Sequence, residues 1–111
     1  MDQKENGRAE RLLLTGACGL RTVDDLCAQL LDMSAAHTAV EIDCSNADEV
    51  DVSFIQLLLA ARSSARRSGR TIRLAHPASG ALRDALQRGG FLTAVDGQEA
   101  DLTFWLQPEN A

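Results

Sequence analysis

The segment SNADEVDVSFIQLLLAARSSARRSG, residues 45–69, joins an acidic stretch directly to the most apolar block of the chain. The junction between them is the run Asp51, Val52, Ser53, Phe54. Acidic residues cluster before this run, and leucine, isoleucine and alanine dominate after it. A hydroxyl and several carboxylates therefore crowd the start of what the pattern predicts to be the most buried helix of the protein.

The apolar block predicts a long helix from about residue 53 to residue 68, with Gly69 as its C-terminal stop. Its apolar positions fill more than one helical stripe, so the first half of the helix is expected to be buried on most sides, with Leu57 and Leu58 in the core. Ser53 opens a capping box of the S-x-x-Q type, which predicts that its hydroxyl caps the helix.

Outside this segment, strand-like and helix-like patterns take turns along the chain. Thr22 is predicted to cap the first helix. The tail at residues 96–106 fits both a strand and a helix, and we favour the helix because an acidic capping box precedes it. The other predicted elements are strands at 11–16, 38–45 and 71–75, helices at 23–35, 53–68 and 79–90, and a loop at 45–51. Strands that alternate with helices imply an α/β fold, with a largely parallel sheet covered by helices.

The composition and charge of the chain argue against several classes of protein. Its 111 residues are enough for one domain with a single core. A net charge of −5 argues against nucleic-acid binding, which depends on cations placed against phosphates. No apolar run approaches the roughly 20 residues that span a bilayer, and the polar start MDQKENGRAE is not typical of a signal peptide. We therefore expect a cytoplasmic protein without direct membrane insertion.

The cysteines and arginines carry weaker signals. The spacing of the three cysteines matches no metal-binding motif, so buried reduced thiols are expected, with no metal and no cofactor. The arginines near the end of the long helix suit the helix dipole, and a basic docking patch is the alternative interpretation. These residues are Cys18, Cys27 and Cys44, and Arg62, Arg66, Arg67, Arg70 and Arg73.

The order of the elements carries a resemblance to a known family. In AVEIDCSNADEVDVSFIQLLLAARSSARRSGRTIRLAHPASGALRDALQRGGF, a strand ending in Asp43 is followed by a short loop, an Asp-Ser-Ser-Gly-like segment and an apolar helix. A glycine, a strand and a short helix ending near GF complete the pattern. Over residues 11–92 the chain resembles the STAS domain of bacterial anti-sigma factor antagonists. The resemblance implies a single α/β domain at residues 10–107, with a mostly parallel sheet of four to five strands, and flexible ends at 1–9 and 108–111.

The resemblance also implies a non-catalytic regulatory function. Family members bind a serine kinase of the histidine-kinase-like ATPase type, or another signalling partner. In the antagonists, that kinase phosphorylates the Ser or Thr directly after the loop Asp. Carried over position by position, Asp43 matches the acid at the strand end and Asp51 matches the loop Asp. Val52 then stands at the phospho-acceptor position, Ser53 at the second Ser and Phe54 at the Gly.

Val52 cannot accept a phosphate, which leaves two interpretations of the switch. Either Ser53 has become the phosphorylation site, or the domain binds its partner constitutively, like STAS subunits of lipid-transport ABC complexes or of chemotaxis-type signalling complexes. Structural roles are the alternative for these residues: a helix cap for Ser53, and for Asp43 a hydrogen bond that holds the following loop. For Asp48, Glu49 and Asp51 the alternative is a favourable interaction with the helix dipole. The predicted partner-binding residues are Asp43, Asp48, Glu49, Asp51, Val52, Ser53 and Phe54.

A small serine hydrolase is the alternative from another functional class. Ser53 and Asp51, with either His37 or His76, supply the residue types of a nucleophile, an acid and a base. The G-x-S-x-G elbow found in many such enzymes is absent from the sequence, and both histidines lie beside predicted strands, where surface loops are expected. We therefore expect no catalytic site.

Overall fold

The fold is one small α/β domain built from alternating strands and helices. The computed structural model of the protein describes residues 10–92 and 99–106, so the ends predicted to be flexible, 1–9 and 108–111, lie outside the described residues. In chain order the elements are β1 (Glu10–Cys18), α1 (Val23–Ala36), β2 (Ala39–Val50), α2 (Val52–Arg67), β3 (Thr71–Leu74), α3 (Gly80–Arg88) and α4 (Glu99–Leu106).

Three parallel strands form the sheet in the order β1, β2, β3. The central strand β2 pairs with β1 along most of its length, and β3 pairs only with the segment from Ala39 to Ile42. The expected four to five strands are therefore too many for the part of the chain described. Residues 45–50 lengthen β2, and residues 99–106 form the helix favoured for the tail, so neither segment supplies a further strand.

Residues 45–50, predicted to be a loop, instead continue β2 to its end at Val50. The pairing of this part with β1 shifts register at two points. Such irregularities break the strict alternation of buried and exposed side chains, which explains why the segment lacks a strand pattern in the sequence. Ala47 and Val50 are buried, whereas Asp48 and Glu49 are exposed, so the acidic side chains project from a paired strand.

One face of the sheet carries all the described helices. The even-numbered residues at the starts of the strands point to this face, and every helix contributes buried side chains to the same core. Phe54, Leu86 and Trp105, from three different helices, are fully buried there. Because aromatic residues are few, most of the remaining core consists of leucine, isoleucine, valine and alanine, as the composition predicts.

The opposite face of the sheet is polar and is held by ion pairs. Glu41 on the central strand accepts hydrogen bonds from Arg11 at 3.1 Å and from Arg73 at 2.7 Å, which ties both outer strands to the middle one. Burial opposes ionisation of Glu41, but these two guanidinium groups hold its pKa below the ordinary value. Leu13 also lies on this face and is 53% exposed.

The N-terminal half of α2 is the most deeply buried helical segment. Phe54, Ile55 and Leu58 are at most 1% exposed, and Gly69, with φ of +75°, follows the helix as predicted. Leu57 was expected in the core with Leu58, but it is only partly buried because it lines a channel between α1 and α2. The buried stripe is therefore narrower than the run of leucines implies.

The burial of Leu58 makes its truncation a direct test of the rotation of α2 about its axis. Leu58→Ala leaves a cavity under α2 and is expected to lower the free energy of unfolding by about 2–5 kcal/mol. Leu57→Ala removes the same atoms from a partly exposed position, so it is expected to lower the free energy of unfolding clearly less than Leu58→Ala does. Urea denaturation followed by circular dichroism measures both, and a loss below about 1 kcal/mol for Leu58→Ala contradicts this packing.

Candidate functional site

Asp51 connects the end of β2 to the start of α2. It directly precedes Val52, the first helical residue, and its Oδ1 accepts a hydrogen bond from the Ser53 N–H at 2.9 Å. The prediction that Ser53 caps α2 is therefore wrong. Asp51 is the cap, because its carboxylate accepts from N–H groups that the first helical turn leaves unpaired.

The other carboxylate oxygen of Asp51 holds the turn between β1 and α1. Its Oδ2 accepts from the Leu20 N–H at 2.9 Å, so one side chain ties together residues that are 31 positions apart. Gly19 permits this approach, because a Cβ atom at that position would lie 2.4 Å from Oδ2. A larger residue at position 19 would push the carboxylate away from the turn.

Thr22 closes the same turn from its far end. Its hydroxyl accepts from the Gly19 N–H at 3.0 Å and lies 3.2 Å from the carbonyl oxygens of Ala17 and Gly19, to which it donates. Thr22 stands at the N-cap position of α1, as predicted, but its side chain makes no hydrogen bond that caps the helix. The threonine instead stabilises the turn that presents Leu20.

Hydrogen bonds keep Asp51 ionised. The N–H of Leu20, followed by the N–H groups of Ser53 and Phe54 and the Ser53 hydroxyl, holds the pKa of Asp51 below its ordinary value. The dipole of α2 places a positive partial charge at the same point. The carboxylate is therefore charged at neutral pH and already bonded within the protein.

Two exposed apolar side chains flank this carboxylate. Leu20, whose N–H binds Asp51, is 72% exposed, and Val52, which follows Asp51 in the chain, is 51% exposed. Asp48 and Glu49 add exposed negative charge at the end of β2. A groove of about 290 Å³ lies between the β1–α1 turn and the end of β2. The surface formed by Leu20, Asp48, Glu49, Asp51 and Val52 is named the junction face.

Most of the predicted partner-binding residues meet on the junction face, which contains Asp48, Glu49, Asp51 and Val52. Ser53 is partly buried at its edge, where its N–H is bonded to Asp51. Phe54 is completely buried in the core beneath, so it positions the helix without reaching the surface.

Sequence reasoning missed three residues of this site: Gly19, Leu20 and Thr22. Their importance depends on a hydrogen bond to Asp51 that is distant in sequence, and no local pattern reveals such a contact. The available signal was the turn CGLR itself, which places a large apolar residue where polar residues are usual.

Asp43 lies apart from the junction face, on the polar side of the sheet. It accepts hydrogen bonds from the Ser45 hydroxyl and, at 3.0 Å, from the Ser45 N–H, and these bonds lower the pKa of Asp43. Its other oxygen lies 3.9 Å from Arg11 and 3.8 Å from His76. These contacts support the structural alternative for Asp43, a carboxylate that fixes the residues following it.

The residues considered for catalysis are not gathered into one site. His76 faces Asp43, and His37 follows α1 at the end of the domain where β2 begins, whereas Ser53 lies in the first turn of α2. Within residues 10–92 and 99–106, no group of three or more His, Cys, Asp or Glu side chains could hold a metal ion. In the same ranges, no helix combines the length and the apolar character needed to cross a membrane.

The three thiols are free, but only one of them is fully buried as predicted. Cys18 is buried, whereas Cys27 and Cys44 are partly exposed. Burial raises the pKa of the Cys44 thiol to about 12, so the thiol stays protonated at neutral pH.

Three of the arginines near the end of α2 make contacts within the domain. Arg73 bonds to Glu41 on the sheet, and Arg70 donates to the carbonyl oxygen of Ser34 on α1. The guanidinium of Arg62 lies 5.1 Å from the centre of the Phe104 ring. These contacts favour structural roles over the basic docking patch.

Comparison with known proteins identifies the family. A family model described as Mlab, STAS domain, matches residues 1–96 of the chain. The protein belongs to the STAS domain family. STAS domains are in general non-catalytic modules that bind other proteins. No curated protein sequence gives a significant match to the chain.

Solved structures share this fold at low sequence identity. A sulfate transporter family protein from Wolinella succinogenes matches 86% of this chain and 81% of its own, with a TM-score of 0.59 and 19% identity. A protein named Mglu matches 63% of this chain but only 18% of its own, with a TM-score of 0.55 and 16% identity. The domain thus spans less than a fifth of the Mglu chain, and identities this low establish a shared fold only.

The double role of Asp51 predicts a stability loss for Asp51→Ala. Without the cap, the free energy of unfolding is expected to fall by about 0.5–2 kcal/mol. Because the pKa of Asp51 is lowered by folding, its contribution is present above the ordinary aspartate pKa of about 4 and disappears as the pH falls through the lowered value. The difference between wild type and variant should therefore shrink in acid.

Ser53→Ala is the matched control for that measurement. It removes a hydroxyl from the same helical turn but leaves the cap in place, so it should cost less than Asp51→Ala. Urea denaturation at pH 7 and at successively lower pH measures both variants. If Ser53→Ala lowered the free energy of unfolding more than Asp51→Ala does, Ser53 and not Asp51 would be the residue that caps α2.

Proposed function

We propose that this STAS domain is a non-catalytic regulatory module that binds a protein partner through the junction face. The observation that carries the proposal is the anchored Asp51 carboxylate between two exposed apolar side chains, Leu20 and Val52. Apolar side chains rimmed by charge are typical of protein-binding surfaces. The general role of STAS domains as interaction modules supports the same function.

The junction face favours a partner with an apolar centre and a basic rim. Leu20 and Val52 supply apolar area that a partner can cover, while Asp48 and Glu49 steer a basic surface toward them. The resemblance to anti-sigma factor antagonists suggests a serine kinase of the histidine-kinase-like ATPase type, or another signalling protein. Such a partner implies a cytoplasmic location for this domain.

Val52 favours binding without a phosphorylation step. At the position where the antagonists carry their phospho-acceptor, this domain exposes an apolar side chain that adds contact area and cannot become charged. Constitutive binding, as in the STAS subunit of a lipid-transport ABC complex or a chemotaxis-type signalling complex, is therefore the form that we favour.

Ser53 is the candidate phosphorylation site, and its contacts define how a switch there would work. Its hydroxyl lies in the first turn of α2, where the helix dipole favours an anion. A phosphate there would nevertheless stand beside the Asp51 carboxylate, which is bonded to the Ser53 N–H, and the two anions would repel each other. Because Asp51 also holds the Leu20 turn, phosphorylation would disturb the junction face as well as charge it, and the partner would be released.

Site-specific photo-crosslinking tests where the partner docks. A photoreactive phenylalanine analogue at position 52 is expected to capture the partner in cells, and mass spectrometry then identifies the captured protein. The matched control is the same analogue at position 13, because Leu13 and Val52 are 53% and 51% exposed but lie on different surfaces. Capture of the same partner from position 13 and not from position 52 would place the docking surface elsewhere.

Binding kinetics with the captured partner then test the charges and the switch. Asp48→Lys combined with Glu49→Lys should slow association and change its salt dependence while leaving the fold intact. Ser53→Glu should weaken binding by disturbing Asp51, whereas Ser53→Ala should bind like wild type. An unchanged association rate for the double variant contradicts the steering role, and equal affinities for the two Ser53 variants exclude the switch.

A further inference from the structure

An apolar channel of about 440 Å³ separates α1 from α2 on the outside of the domain. Most of its α2 wall consists of small side chains, so the two helices leave an open space between their exposed edges. This channel, named the α1–α2 channel, is lined among others by Cys27, Leu31 and Ala35 on α1 and by Leu57, Ala61 and Ser64 on α2. At a rise of about 1.5 Å per residue, the lining residues extend over about 12 Å of α1 and about 16 Å of α2.

Leu31 stands on the rim of this channel and is 63% exposed. A single exposed leucine is ordinary on a protein surface. This one, however, lies midway between Cys27 and Ala35, so the surface offers a large apolar side chain and an apolar hollow next to one another.

The channel has negative charge at one end and positive charge at the other. Because α1 and α2 each link strands that run in parallel, the two helices point the same way. Asp24 and Asp25 lie at the start of α1, preceded by one cation, Arg21. Arg67 lies in the last turn of α2, and Arg70 lines the far end of the channel.

Helical spacing puts the end charges on the edges of the channel. Asp24 precedes Leu31 by seven residues, and Arg67 follows Ala60 by seven, so each charge shares the side of its helix with a channel residue. Both charged side chains are exposed, and Arg67 makes its hydrogen bond at 3.0 Å to Ser63 on its own helix.

We propose that the α1–α2 channel binds a second copy of this chain. A two-fold axis that lies in the plane of the two helices, and passes obliquely through the middle of the channel, places Leu31 of each copy over the channel of the other. The same operation sets the acidic start of α1 in one copy against the basic end of α2 in the other. A surface that carries a projection, a hollow and opposite charges at opposite ends is complementary to itself, which is the requirement for a two-fold interface.

This interface goes beyond the proposed function and uses a different surface. The junction face lies at the N-terminal ends of α1 and α2, whereas the α1–α2 channel runs along their sides. Self-association therefore leaves Leu20, Asp51 and Val52 free, and each copy in the pair presents its own junction face.

Analytical ultracentrifugation of the purified chain over a range of concentrations tests the proposal. The wild type is expected to show a monomer–dimer equilibrium. Leu31→Asp should raise the dimer Kd by at least about tenfold, because the free energy of burying a leucine side chain corresponds to a factor of about ten or more in Kd. Leu13→Asp is the matched control: Leu13 is similarly exposed but lies on the polar sheet face, so this variant should dimerise like wild type.

A charge-reversal pair tests the orientation of the two copies. Asp24→Arg and Arg67→Asp should each weaken the dimer, and the variant carrying both should recover wild-type affinity because opposite charges face each other again. Circular dichroism confirms that every variant is folded. A wild type that stays monomeric up to about millimolar concentration, equal dimerisation of Leu31→Asp and wild type, or a double variant weaker than both single ones would overturn the proposal.

Discussion

The Asp51 carboxylate, shared between two backbone N–H groups, is the constraint on which the rest of the structure depends. Its oxygens accept from Leu20 and from Ser53, and its own N–H donates to the Cys18 carbonyl at 3.4 Å. One residue therefore ends the central strand, begins the most buried helix and anchors the turn after the first strand. The carboxylates at the start of a buried helix are accommodated because each oxygen of this one accepts an N–H hydrogen bond and its acidic neighbours are exposed to solvent.

The parts of the fold that depend on local pattern could be predicted from the sequence. The long helix and its stop at Gly69, the short strands and the helical tail follow from apolar spacing and turn residues. The family also follows, because the order of elements around Asp43 and Asp51 is specific even where single motifs are loose.

The parts that depend on contacts distant in sequence could not be predicted. Asp51 and Ser53 are both good N-cap residue types, and only the hydrogen bond to Leu20 explains why the chain uses the first. The extension of β2 was hidden because register shifts against β1 remove its alternation. Leu57 has the same local pattern as Leu58, and the channel beside it depends on how α1 packs.

These contacts explain how the proposed binding surface, which carries Val52 at the phospho-acceptor position of the antagonists, can stay well defined. The surface is not a mobile loop, because a paired strand leads into it and a capped helix leaves it. Its apolar residues are fixed on either side of a charge that is already bonded, so little ordering is needed when a partner binds. The same arrangement makes Ser53 a sensitive position, since any new charge there acts on Asp51 first.

An NMR titration of the Asp51 side-chain carboxyl carbon tests this anchor most directly. The midpoint is expected clearly below the ordinary aspartate pKa of about 3.9, and the amide signals of Leu20 and Ser53 should shift at that same midpoint as both lose their acceptor. A midpoint at or above about 3.9, or amides that do not respond to it, would contradict the claim that one ionised carboxylate joins the turn to the helix.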